Sequence, residues 1–236
     1  GPGKKKENSD SYARPLALST NEKAVLEMAK AHSTKVIVLI NANNPIEIDD
    51  LKNDEAIGAI VWVGEPGMNG FLGVADVLAG SVNPSGHISD TFAVKSDSAP
   101  AMVNYGVYLY TNNSKSGTGD LLTEENKGDW YLVESESIYT GYKYYETRYE
   151  DYVLGQGNAA DGAGAIGESW NWDDEVSYSL GYGLSYTTFD QKLDSVEADV
   201  KGVTAKVTVT NTGDVAGKSV AQLYVQAPYK QGGLEI

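Results

Sequence analysis

The chain has 236 residues, 41% of them hydrophobic, and a formal net charge of −15. That apolar share supports a buried core and excludes disorder of the whole chain, while the negative charge opposes a nucleic-acid backbone or an anionic membrane surface as partner. With no cysteine, disulfides, thiolate metal sites and cysteine nucleophiles are excluded.

Sixteen Tyr and 4 Trp stand against 3 Phe, a bias toward aromatics with a polar handle. Such rings suit exposed strands and sugar-binding clefts alike. His32 and His87 lie far apart in sequence, and nothing supports a zinc site or a Ser-His-Asp triad. No metal and no organic cofactor is expected. No apolar run approaches membrane-span length, and "GP" at the front is compatible with a tag-cleavage scar. The expectation is a soluble chain, bacterial cytoplasmic or secreted.

In chain order, "KKKENSDSYAR" (4–14) is charged, polar and aperiodic, and reads as a loop. Ser19 with Glu22 fits a capping box, followed by an apolar face of Ala24, Val25, Leu26, Met28 and Ala29. This predicts a helix to about His32. "KVIVLI" (35–40) is a β-branched run expected of a strand buried on both faces. After the Asn-Pro turn, "EIDDLKND" fits a short helix. "AIGAIVWVG" (56–64) predicts a second buried strand, and "GFLGVADVLAG" (70–80) a helix ended by Gly80. "NPSGHISDTF" reads as a turn and a third strand. Helices alternating with apolar strands predict an α/β unit with a largely parallel sheet.

Regularity is lost from about 94 to 138. "YTGYKYYETRYEDY" (139–152) is dense in tyrosine, and "GQGNAADGAGAIGE" (155–168) reads as a loop. After residue 190 the texture changes. "KLDSVEADV", "TAKVTVTN" and "SVAQLYVQ" alternate in the style of β-sandwich strands. Only three or four strands fit before Ile236 where such a sandwich needs about seven, so a truncated second domain is expected. The domain expectation is 1–138 for the α/β part, 139–185 for a Tyr/Gly-rich linker, and 186–236 for a partial β-sandwich.

Few motifs carry chemistry by themselves. "GEPGMNG" (64–70) follows a strand and precedes a helix, but its spacing is neither GxGxxG nor GxxxxGK[ST], and a tight turn explains it better than a phosphate cradle. Glu65 sits in that loop, where α/β folds place ligand contacts, and reads first as a solvated carboxylate. A glycosidase needs two carboxylates flanking the scissile bond; Glu7 and Asp10, taken alone, are two acids in a loop. Trp130, Trp170 and Trp172 suit either sugar stacking or core closure. "NNS" at Asn112 fits a glycosylation acceptor.

Several stretches together resemble the C-terminal part of glycoside hydrolase family 3, the β-glucosidase-type enzymes. "DVLAGSVNPSGHISDTF" is similar to that family's "ADVLFGDVNPSGKLPxTF", "IYTGYKYYETRYED" to "IYVGYRYYETRYED", and "GYGLSYTTFD" to "FGYGLSYTTFE". "VTVTNTGDVAGKSVAQLYVQAPY" resembles the opening of its fibronectin-III-like domain. The matches cover most of residues 16 to 236.

The resemblance implies a partial α/β sandwich followed by a truncated fibronectin-III-like β-sandwich. Tyr182, Tyr186 and Phe189 would pack between the two. It implies a fragment of a retaining enzyme that releases terminal β-linked sugar, glucose foremost, from an oligosaccharide or β-glucoside. The nucleophilic Asp of such enzymes lies on a (β/α)8 barrel, and "GDW" at Asp129–Trp130 is not that motif. The barrel domain, or a complementary chain of the same enzyme, is the implied partner.

The implied contribution here is the acid/base side of the cleft. "NSDSYAR" overlays the family's "SGEGYDR", which puts Asp10 at the acid position, matches Tyr12 and Arg14, and departs at Ala13. Glu7 fits the role in a shifted register, and a Glu at or before Gly1 is the third option. The rival from another class is a non-catalytic carbohydrate-binding or structural module built on the same domains.

Overall fold

Ser19 starts the first helix as its sequence predicts. Its hydroxyl accepts the backbone N–H of Glu22, and the Glu22 carboxylate accepts the Ser19 N–H in return at 2.7 Å. That reciprocal box satisfies two orphan donors and opens α1 (Thr20–His32). The structure, a computed structural model, describes residues 16–103, 136–155 and 165–225. They fall into two units, Gly1–Glu65 with Asp90–Leu180, and Pro66–Ser89 with Gly181–Ile236.

In the first unit, α1 leads into β1 (Val36–Ile40), α2 (Asp49–Lys52) and β2 (Ile57–Trp62). β1 and β2 pair in parallel, in register from Ile37 with Ala59 to Ile40 with Trp62. The parallel α/β arrangement expected from the alternating pattern is therefore present. Burial on both faces is not: Val36 and Ile40 are buried, but Ile37 and Leu39 are 51% and 40% exposed among the described residues. β-branched residues favour a pleated strand on either face, so the sequence reports the strand without reporting what covers it. The apolar stripe of α1 is likewise half covered, with Val25 and Met28 exposed.

β3 (Phe92–Ala93) is shorter than the expected third strand. It pairs antiparallel with β4 (Val176–Tyr178) rather than with the parallel pair. Short α4 (Pro100–Val103), α5 (Tyr142–Tyr152) and α6 (Trp172–Glu175) complete the unit. Residues 139–185, set apart by their sequence as a linker, thus hold α5, α6 and β4. Tyr144, Tyr145, Trp170 and Val176 from this stretch form a buried cluster, against which Ala93, Ala99 and Tyr139 pack. Tyr144, Tyr145 and Arg148 recur at helical spacing and are the buried face of α5. Tyrosine density hid that periodicity, because each ring reads as surface or core with equal ease. Much of the Gly/Ala-rich stretch, Trp130 and Asn112 lie outside the described residues.

In the second unit, α3 (Phe71–Leu78) ends as expected, with Gly80 at φ +76°, a conformation natural to glycine. β5 (Phe189–Asp199) and β6 (Gly202–Asn211) form a long antiparallel hairpin. Its turn is closed by Asp199, whose Oδ1 accepts the N–H groups of Lys201 and Gly202. Leu193, Val196, Val203, Val207 and Val209 alternate with polar residues along this ribbon and stay exposed. The expected strand in "SVAQLYVQ" is not formed over 219–225; Gln191 instead bonds Ser219 Oγ and the Val220 carbonyl through its side chain.

Candidate functional site

In open α/β sheets, ligands gather beyond the carboxyl ends of the parallel strands. Here β1 runs out into Asn41–Asn44 and β2 into Val63–Glu65. The ladder continues one step past the strands, since the Val63 N–H donates to the Ile40 carbonyl at 2.9 Å. Trp62 then clamps the edge: its indole N–H donates to the Ala42 carbonyl at 2.6 Å. The same ring meets Phe92 edge-to-face, with centroids 5.9 Å apart. Asn41, Asn43, Asn44 and Glu65 are exposed at this rim. Amides and carboxylates of this kind hydrogen-bond hydroxyl groups from either side.

The segment entering α1 is fastened to the same half of the unit. The Leu16 carbonyl accepts the Glu47 N–H at 2.9 Å, and Ala17 and Glu47 form a parallel bridge. The Glu47 carboxylate is occupied elsewhere, with Oε1 accepting both the N–H and the hydroxyl of Ser96 at 2.8 Å. Glu7 and Asp10, the candidate acids, precede Leu16 and lie outside the described residues. Glu65 is exposed, as its loop position suggested, and positive φ at Gly64 and Gly67 fits the tight-turn reading of "GEPGMNG". Among the described residues no group of His, Asp and Glu is arranged to hold a metal ion.

Trp170 is fully buried and Trp172 partly so, their rings 6.1 Å apart and edge-to-face. Trp170 is thus a core ring and not a sugar platform. The described contacts of the "GYGLSYTTFD" stretch run within the second unit. The Tyr186 hydroxyl donates to the Val77 carbonyl at 2.7 Å, and the Tyr186 N–H donates to Asn83 Oδ1. That same oxygen accepts from Ser185, while the Asn83 amide donates to the Ala216 carbonyl. Asn83 therefore holds two chain segments that each lie more than a hundred residues from it in sequence.

A buried polar cluster went unread in the sequence. Glu175 is fully buried at the end of α6, with Oε1 accepting the Ile166 N–H. Burial pushes its carboxyl above the ordinary range, and that hydrogen bond, Ser98 and Arg148 draw it back in part. Arg148 is buried too, with its guanidinium 5.1 Å from the centre of the Trp170 ring and an ion pair to Asp151 at 3.4 Å. Burial likewise raises the Tyr144 and Tyr145 hydroxyls, and the Tyr145 hydroxyl shares a hydrogen bond with Ser98. "WNWDDE" offers no sign that its last acid alone turns inward; the helical spacing of Tyr144 and Arg148 was the available signal.

Comparison with known proteins fits this frame. Residues 2–186 match the glycosyl hydrolase family 3 C-terminal domain. Beta-glucosidase A of Butyrivibrio fibrisolvens is 32% identical over 228 residues, which cover 89% of this chain and 22% of that protein. A beta-glucosidase of Ruminococcus albus is 30% identical, covering 96% of this chain and 19% of the relative. Among solved structures, a beta-glucosidase from Paenibacillus barengoltzii superposes with a TM-score of 0.59 at 28% identity, over 90% of this chain and 18% of that one. Beta-glucosidase 3B from Thermotoga neapolitana, solved in complex with alpha-D-glucose, gives 0.56 at 27% identity, over 84% of this chain and 22% of its own. The chain spans about a fifth of the length of the relatives it matches.

Proposed function

Because the chain belongs to glycosyl hydrolase family 3, whose C-terminal domain it carries over residues 2–186, we propose that it forms the acid/base side of the cleft in a retaining β-glucosidase-type enzyme. The observation that carries this reading is the match to beta-glucosidases along nearly the whole chain. The substrate would be an oligosaccharide or β-glucoside with a terminal β-linked sugar, glucose foremost. Neutral hydroxyl-rich ligands suit the exposed amides at the strand ends and are indifferent to the strongly negative charge. The β5–β6 hairpin is assigned to the start of a fibronectin-III-like domain, with its bare valine face as the reason.

Retention needs two carboxyl groups about 5–5.5 Å apart, one a nucleophile and one a proton donor that later acts as base. The nucleophile is assigned to a (β/α)8 barrel, and the described residues form no such barrel. The donor is assigned to the loop ahead of α1, as Glu7 or Asp10, or as a Glu upstream of Gly1. The Leu16–Glu47 bond supports that placement, since it ties the end of the loop to the parallel-sheet half of the unit. By itself the 236-residue chain is expected to leave an aryl β-glucoside uncleaved.

The test is alanine substitution of Glu7 and of Asp10, one at a time, in the full-length enzyme. Loss of the proton donor should lower turnover of substrates with poor leaving groups by about 10²- to 10⁴-fold. Added azide should restore activity on activated substrates by attacking the glycosyl-enzyme, giving a β-glycosyl azide. If neither variant behaves so, the donor lies elsewhere or the chain is the non-catalytic module.

A further inference from the structure

The chain leaving β1 at the strand-end rim is tied down by one side chain of β2. Among the described residues, 42–44 make no backbone-to-backbone hydrogen bond. The Ala42 carbonyl accepts the Trp62 indole N–H at 2.6 Å instead. Trp62 is the last residue of β2 and stands opposite Ile40, which is buried. Its ring also meets the buried Phe92 edge-to-face. An indole nitrogen only donates, so a ring held by Phe92 gives the Ala42 carbonyl one direction to point.

That carbonyl belongs to the same planar peptide as the Asn43 N–H. Pinning it sets the plane from which Asn43 departs. Asn44 spends its amide N–H on its own neighbour, donating to the Pro45 carbonyl at 2.9 Å. Asn43 is exposed, and among the described residues its side chain makes no such bond. A carboxamide donates and accepts at once, as a sugar hydroxyl does.

We propose that Asn43 binds a hydroxyl of the sugar substrate, and that Trp62 is the positioning residue that aims it through Ala42. The inference rests on the β-glucosidase reading above and adds to it a named contact at the strand ends. Trp62 itself touches no substrate; it acts through one peptide plane. Holding that plane matters because ordering a free loop on binding costs affinity.

Trp62→Phe and Asn43→Ala, singly and together in the full-length enzyme, test this on a β-linked glucose disaccharide. Trp62→Phe keeps a ring against Phe92 and loses the N–H. Each single variant should raise KM by about 2- to 10-fold, the worth of one hydrogen bond. With kcat unchanged, that is the mark of a contact equally strong in ground and transition states. The double variant should match the worse single one, since both act through one contact. A merely structural role would lower the folded fraction and leave KM where it was. Unchanged KM in either variant, or effects that multiply in the double variant, would overturn the proposal. An unaltered enzyme that turns over no β-glucoside would sink the β-glucosidase reading first, and this contact with it.

Discussion

The Asp90 carboxylate accepts the backbone N–H of Tyr142 at 2.7 Å, across 52 residues of sequence. Tyr142 is the first residue of α5, and no side chain of its own segment caps that end. Asp90 also accepts the Thr91 N–H at 2.8 Å, so its position is set before the helix docks on it. The helix that carries Tyr144, Tyr145 and Arg148 into the core is therefore capped from outside its own segment. Asp90→Ala should cost about 1–2 kcal/mol, the range for loss of a helix cap, read as a lower urea midpoint with unchanged slope. Gly141 presses the point, since a Cβ there would sit 2.9 Å from Asp90 Oδ1 on a backbone with φ +54°. Gly141→Ala should destabilise by about 1–2 kcal/mol.

The capping box of α1 gives a prediction with a pH signature. Ser19 donates through its N–H and its hydroxyl to Glu22, which lowers the Glu22 pKa. A lowered folded value means stability that is complete above the ordinary glutamate range and lost as pH falls through the lowered value. Ser19→Ala should cost about 1 kcal/mol at neutral pH, and the difference from the unaltered chain should shrink in acid. Equal destabilisation at all pH would show that the bond from the Ser19 hydroxyl to the Glu22 carboxylate contributes nothing.

Asn83 makes three hydrogen bonds, to Ser185, Tyr186 and Ala216. Asn83→Leu removes all of them at similar volume. About 0.5–1.5 kcal/mol of local stability should go with them, since the Tyr186 N–H and the Ala216 carbonyl are exposed and water can take up both. Hydrogen exchange at the Tyr186 amide is the measurement, and it should speed up well ahead of amides in α1. Unchanged protection at Tyr186 would mean that the second unit holds this stretch by other contacts.

Glu175 links the buried cluster to alkaline stability. Burial raises its folded pKa above the unfolded value, so the folded state holds the proton more tightly. Its contribution is fully present below the unfolded glutamate range and is lost as pH rises through the raised folded value. Glu175→Gln cannot ionise and keeps the acceptor for Ile166. Its unfolding free energy should therefore vary less between about pH 4 and pH 8 than that of the unaltered chain. Identical slopes would remove Glu175 from the account.

Caps, helix stops and β-branched runs in this sequence report local structure faithfully, whereas the alternation in "SVAQLYVQ" does not. Ser19 and Glu22 specify the start of α1 because both partners lie within one helical turn. Gly80 marks the end of α3 because only backbone strain is at issue. The β-branched runs mark β1 and β2, and quoted motifs such as "GYGLSYTTFD" were enough to name the family. What the tertiary structure decided is pairing at a distance: Asp90 on α5, Asn83 on Ser185 and Ala216, β3 on β4 instead of on the parallel pair. It also decided burial, turning Glu175 inward while Asp173 and Asp174 beside it face solvent. Composition cannot encode such choices, since an acid's side chain is the same in water and in a core. Only the packing of α5 against the 165–175 segment makes the difference, by removing the water that would otherwise solvate its charge.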